Sequence, residues 1–180
     1  MKVSLLILTG PEIERQVLNN RIHIRPFIKE HINPNSYNYR LGPKLLEITD
    51  DVIDPARKVS YNEISLNADG YVLMPKRLYL GSTVEEIGSD HYVTQLIGRS
   101  SVGRLGLFLQ ITASLGHIGS KHCWTLELKC VQPVKVYPDM KIGQVSFWNI
   151  EGENSESYLG KYQNFNSPHV SEFFNEMVQK

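Results

Sequence analysis

Ser100 and Arg104 stand four residues apart in the run Gly98-Arg99-Ser100-Ser101-Val102-Gly103-Arg104-Leu105-Gly106. If one helical turn spans the middle of that run and Gly106 closes it, the two side chains share a face, a hydroxyl beside a guanidinium. Such a pair holds an anion or a polarised water. Farther on, Trp124, Leu126, Leu128 and Cys130 alternate onto one face of an expected strand, which leaves Glu127 on the other. Glu127 then meets water or a pocket, where a carboxylate can take a proton. The plain alternatives are a solvated strand carboxylate and a capped turn bearing a surface ion pair.

The whole chain sets the bounds for such a site. Its 180 residues, 41% hydrophobic and 21% charged, suit one compact domain with its own core. Nineteen basic and 19 acidic side chains cancel, so no overall field draws in a polyanion, and nucleic acid is not an expected partner. The apolar run from Val3 to Leu8 is too short to span a membrane, and with Lys2 alone before it and no small-residue cleavage site it does not read as a signal peptide. A cytoplasmic protein is expected. Cys123 and Cys130, seven apart, fall on opposite faces of a strand and are expected as buried free thiols.

Thr9-Gly10-Pro11-Glu12 opens a short helix that Asn19-Asn20 ends. Ser36 to Gly42 alternates as a half-buried strand, with a hairpin partner expected at Leu45 to Ile48. Thr49 to Asn67 reads as loop with at most one short strand. Further strands are expected at Tyr71–Met74, Leu78–Gly81, Tyr92–Ile97, Phe108–Thr112, Trp124–Val131, Val134–Tyr137 and Ile142–Trp148. Short strands at this spacing, divided by Gly, Pro and Asp, predict an all-β barrel or sandwich. Glu151 to Pro168 is polar and leaves the barrel as an arm, after which Ser171 caps a last helix holding Phe173, Phe174 and Met177.

Gly98-Arg99-Ser100-Ser101, Arg104-Leu105-Gly106-Leu107, Thr112-Ala113, Thr125-Leu126-Glu127-Leu128, Pro138-Asp139-Met140-Lys141-Ile142-Gly143-Gln144 and Gly160-Lys161-Tyr162-Gln163 follow in an order that resembles the dCTP deaminases, relatives of the trimeric dUTPases. Pro26-Phe27 and Pro34-Asn35-Ser36-Tyr37 through Arg40-Leu41-Gly42 extend the likeness over nearly the whole chain. It implies a mainly β fold, a distorted jelly-roll barrel over residues 1–150 with a C-terminal arm or lid over 151–180, in one domain. It also implies a homotrimer with active sites between subunits and a deoxynucleotide carrying Mg2+ on its phosphates. The implied reaction is hydrolytic deamination of dCTP to dUTP without zinc. The chain does lack the His-x-Glu and Cys-x-x-Cys of the zinc deaminases.

By the same resemblance Glu127 is the proton acceptor, while Ser100 and Arg104 hold the water and stabilise developing charge. Arg99, Ser101, Thr112, Ala113, His117, Thr125, Leu126, Tyr158, Lys161, Tyr162 and Gln163 would bind the nucleotide. Two positions depart from the family pattern. His117 stands where the family has an aspartate, which argues against pyrophosphate release and for dUTP as the product, unless His117 is simply a turn residue. Phe165 replaces a second glutamine. Lys121 and His122 are expected to add positive character beside the site. Other readings of the same residues are an enzyme of this fold acting on dCMP, a modified dCTP or dUTP, and a nucleotide-binding trimer without catalysis.

Overall fold

Local chemistry sets the first helix. Thr9 takes an extended conformation as N-cap of α1 (Gly10–Leu18), Pro11 sits in the first turn, where an N–H would be unpaired anyway, and Glu12 lies near the positive end. The computed structural model, which describes residues 6–109, 112–152, 160 and 165–178, continues through β1 (His23–Arg25), a 3-10 turn, β2 (Ile32–Asn33), β3 (Ser36–Arg40) and β4 (Lys44–Ile48). β5 (Tyr61–Ser65), β6 (Tyr71–Leu73), β7 (Tyr79–Gly88) and β8 (Val93–Gly98) lead to α2 (Ser100–Gly103). Then come β9 (Leu107–Leu109), β10 (Leu115–Gly116), β11 (Lys121–Cys130), β12 (Val134–Val136), β13 (Lys141–Trp148) and α3 (Phe173–Val178).

The protein is mainly β. One sheet runs β5-β4-β7-β11-β9, with β1 also on β7, and a second runs β10-β8-β13-β3-β2. A small β12-β6 pair completes the set. Tyr37, Tyr39, Leu96, Val145 and Phe147 of the second sheet and Tyr79, Ile87, Leu126 and Leu128 of the first are buried in one apolar cluster. Each such side chain contributes roughly 1.5–3 kcal/mol by leaving water.

β7 is ten residues long, well beyond the expected Leu78–Gly81, because Glu85 and Glu86 break the apolar alternation that the sequence reading followed. Glu85 is nonetheless fully buried. Arg40 reaches it from the other sheet, donating its backbone N–H at 2.8 Å and its Nε–H at 2.7 Å. β11 pairs with β7 in one register from Lys121 to Cys123 and another from Thr125 to Leu128, so that Thr83, Val84 and Glu85 together oppose Trp124. Thr83 Oγ1 fastens this irregularity, donating to the Glu85 carbonyl at 2.7 Å and accepting the Trp124 N–H at 2.9 Å.

Two expectations about β3 are corrected. Its polar face is covered rather than solvated, because Ser36 donates to Gln144 Oε1 and Asn38 to the His31 carbonyl and Asn33 Oδ1. β4 is not its hairpin partner. The chain crosses to the other sheet at Leu41-Gly42, where the Gly42 N–H donates to the Ser82 carbonyl, and β4 pairs with β5 and β7. β5 is the one short strand allowed between Thr49 and Asn67. Cys123 and Cys130 are buried free thiols as expected, and burial raises the pKa of Cys123 to about 11. The Phe173 N–H donates to Ser171 Oγ at 3.2 Å, at the start of the expected last helix. No helix among the described residues is long and apolar enough to cross a membrane.

Arg40→Met would strand the Glu85 carboxylate in the interior and should cost roughly 3–5 kcal/mol in urea unfolding. Lys44→Met, which breaks an exposed pair with Glu63, should cost under about 1 kcal/mol. Equal losses would mean that the buried pair does not tie the sheets.

Candidate active site

β9 pairs with β11 only at Leu128–Cys130, so among the described residues the edge of β11 from Lys121 to Glu127, opposite β7, has no strand partner. A cleft of about 1290 Å³ follows that edge. Consecutive residues from His122 to Thr125 line it, both strand parities included, as an edge allows and a single face does not. The space exceeds the roughly 300–1,000 Å³ usual for small-molecule sites.

Glu127 sits on this cleft, and its Oε2 accepts from the Thr112 hydroxyl at 2.9 Å and the Thr112 N–H at 3.3 Å. Oε1 has no partner among the described residues. Thr112, Ala113, His117 and Thr125 line the same cleft, as the sequence reading grouped them. Leu126 does not offer its side chain, which is wholly in the core. Tyr158, Lys161, Tyr162 and Gln163 lie outside the described residues.

Ser100 and Arg104 do share the expected turn, with the Arg104 N–H donating to the Ser100 carbonyl at 3.1 Å and Gly106 at φ 75° closing it. α2 follows β8 in the other sheet, however, and none of Arg99, Ser100, Ser101 and Arg104 lines the cleft that holds Glu127. Arg99 is partly occupied already, donating from Nη1 to the Lys141 carbonyl at 3.0 Å.

The cleft has walls that the sequence did not announce. Trp124 donates from Nε1 to the Ile87 carbonyl at 3.0 Å and lies over Gly116, where a Cβ would fall 2.6 Å from the indole and 2.0 Å from Thr94 Oγ1. Only glycine permits that approach. Phe165 and His169 stack at 3.9 Å, and their segment is tied to β11 by the Cys123 N–H to Asn166 Oδ1 and the His169 N–H to Thr125 Oγ1, each at 3.4 Å. Asp50 and Asp51 also line the cleft. Spacing in the sequence carries no signal for these contacts.

The expected positive character at Lys121 and His122 is corrected. Lys121 is paired with Asp90, and the imidazole of His122 is buried, which lowers its pKa and keeps it neutral. His122 Nδ1 lies 2.9 Å from the Cys123 carbonyl, and because a carbonyl only accepts, that nitrogen carries the proton. The ring lies 4.5 Å from Trp124 between centroids.

Residues 7–150 match the family model described as dCTP deaminase-like. A protein of Hathewaya histolytica named "dCTP deaminase, dUMP-forming" is 46% identical over 159 residues, 88% of this chain and 92% of its own. The chain belongs to the dCTP deaminase-like family. Another relative, named "dCTP deaminase", from Rhodopirellula baltica, is 42% identical over 165 residues, 92% of this chain and 83% of its own. The fold is also that of the solved 2'-deoxycytidine 5'-triphosphate deaminase from Agrobacterium tumefaciens, with a TM-score of 0.63 at 19% identity. That alignment covers 79% of this chain but 48% of the other, so the chain spans about half the length of that structure.

The buried imidazoles set a pH response. Burial lowers the pKa of His122 and of His31 from the reference 6.5, so below that value the unfolded state binds more protons than the fold. Their contribution to stability is full above about pH 6.5 and is lost as pH falls through the lower folded values. Urea midpoints should fall as pH is lowered from about 7 to about 5, and less steeply in His122→Phe. An unchanged slope in that variant would place the imidazole in a solvated setting.

Proposed function

We propose that this chain is a hydrolytic deaminase of dCTP, in which water adds to C4 of the cytosine, the amino group leaves as ammonia and a carbonyl takes its place. The observation that carries the reading is Glu127, a carboxylate on a large cleft, held through one oxygen by Thr112, the other having no partner among the described residues. In this scheme Glu127 takes a proton from the attacking water and delivers it to the departing nitrogen. Thr112 sets the angle of the carboxylate. The 41–46% identity to relatives named as dCTP deaminases supports the choice of substrate.

Ser100 and Arg104 take part from a second copy of the chain, since their turn is off the cleft of their own copy. A homotrimer with sites between subunits answers that need. Exposed Leu105, Phe108 and Val131, at 54%, 43% and 66%, supply apolar surface near α2 and β9 for a neighbour to cover. Arg99 and Ser101 of the same turn, with Tyr158, Lys161, Tyr162 and Gln163 of the tail, would then bind the phosphates and close the site. Mg2+ would arrive on those phosphates, with no zinc in the reaction, and the cytoplasm is the proposed location.

The dUTP product expected from His117 gives way to dUMP in this reading. Relatives at 41–46% identity are named for a dUMP product. Asp50 and Asp51 in the same cleft supply carboxylates beyond Glu127 for a second water, which the replacement at residue 117 alone did not take into account.

Glu127→Gln should reduce ammonia release from dCTP by at least about a thousandfold while nucleotide affinity stays within about tenfold, because shape is kept and the proton acceptor is lost. Turnover near the wild-type rate in that variant would remove Glu127 from the mechanism. In the wild type, pyrophosphate and ammonia should appear in equal amounts. Ammonia alone would make dUTP the end product. Light scattering at micromolar concentration should give three times the 20.6 kDa of one chain, and a monomer there would rule out shared sites.

A further inference from the structure

The pairing of β11 with β7 fixes where Glu127 stands along the sheet. Carried on without interruption, the register of Lys121, His122 and Cys123 against Gly88, Ile87 and Glu86 would set Glu127 opposite Ser82. Glu127 stands opposite Leu80 instead, two residues or about 7 Å farther along β7, because Thr83, Val84 and Glu85 together face Trp124 alone. The hold of Thr112 on Glu127 Oε2, at 2.9 Å from the hydroxyl and 3.3 Å from the N–H, would not survive such a slip.

One side chain pins the irregularity. Thr83 is 2% exposed, and its hydroxyl donates to the Glu85 carbonyl at 2.7 Å while accepting the Trp124 N–H at 2.9 Å, in place of the main-chain partners of a regular ladder. Glu85 is wholly buried and is held by the backbone N–H and Nε–H of Arg40 from the other sheet. The hydroxyl therefore ties β11 to the contact between the sheets. Thr125 follows Trp124 directly and Glu127 lies two residues beyond it, whereas Thr83 itself does not line the cleft. Resting on the deaminase reading above, we propose that Thr83 is a positioning residue for the reaction, whose hydroxyl sets the register of β11 and so holds the Glu127 carboxylate where it meets the attacking water. It acts through the backbone of Trp124 and Thr125.

The test measures kcat and KM for dCTP by ammonia release, together with urea midpoints, in the wild type, Thr83→Val, Thr83→Ser and Thr83→Cys. Thr83→Val keeps the shape without the hydroxyl; it should lower kcat about ten- to a hundredfold, as a displacement of about 1 Å at a reacting group does, and leave KM within about threefold. Thr83→Ser keeps the hydroxyl and should stay within about threefold of the wild type in both. A structural role alone would lower the urea midpoint and leave kcat of the folded protein unchanged, which overturns the proposal, as does a Thr83→Ser as slow as Thr83→Val. Should Thr83→Val fail to fold, Thr83→Cys, a weak donor and acceptor, decides on the same split: kcat lowered at constant KM supports positioning, and an unchanged kcat overturns it. If the wild type releases no ammonia, the deaminase reading falls while amide hydrogen exchange still decides on Thr83. Exchange in the Val or Cys variant that quickens at residues 124–127 beyond the rest of the sheet supports the register role, and a uniform change overturns it.

Discussion

The carboxylate of Glu85, wholly out of water, meets the backbone and the guanidinium of Arg40 from the opposing sheet. An unpaired charge there would cost several kcal/mol, so the two sheets hold a fixed relation around this contact. Glu85 also belongs to the irregularity in β7, where Thr83, Val84 and Glu85 oppose Trp124 alone. Two extra residues, unlike one, leave the alternation of a strand in phase. Thr125 and Glu127 therefore keep the face expected from the period of the strand.

An uncovered strand edge is ordinarily a liability, because its backbone groups invite another strand. Here the edge of β11 is flanked by the turn from Thr112 to Gly119 and by the segment from Phe165 to Ser171. Those flanks turn an edge into a cleft. Within one chain the cleft collects Glu127, Thr112, Thr125 and His117 but leaves the hydroxyl and guanidinium of α2 elsewhere, so the arrangement of a single copy is incomplete for the chemistry proposed.

Charge beside the cleft and on α2 differs from what counting residues suggests. Lys121 is neutralised by Asp90, Arg99 gives part of its donor capacity to a main-chain carbonyl, and His122 is kept neutral by burial. The cleft itself carries both signs, from Asp50, Asp51 and Glu127 and from Lys76, Arg77 and Lys129.

Much was legible in the chain because it depends on neighbours in sequence. The cap and proline of α1, the turn ended by Gly106, the outward face of Glu127 and most of the strands follow from local conformational preference and from side-chain period, and short motifs in order carry the family. What failed was non-local. Glu85 interrupts the pattern of β7 and is affordable inside only because Arg40, forty-five residues away, reaches it. β4 lies on β7 instead of β3 because pairing is settled by which sheet the chain enters at Gly42. The neutrality of His122, the wall made by Trp124 over Gly116 and the absence of α2 from the cleft of its own chain depend on burial and on distances across the fold. A sequence determines which groups are present and which face each prefers; only the packed structure decides how much water and which partners remain to them.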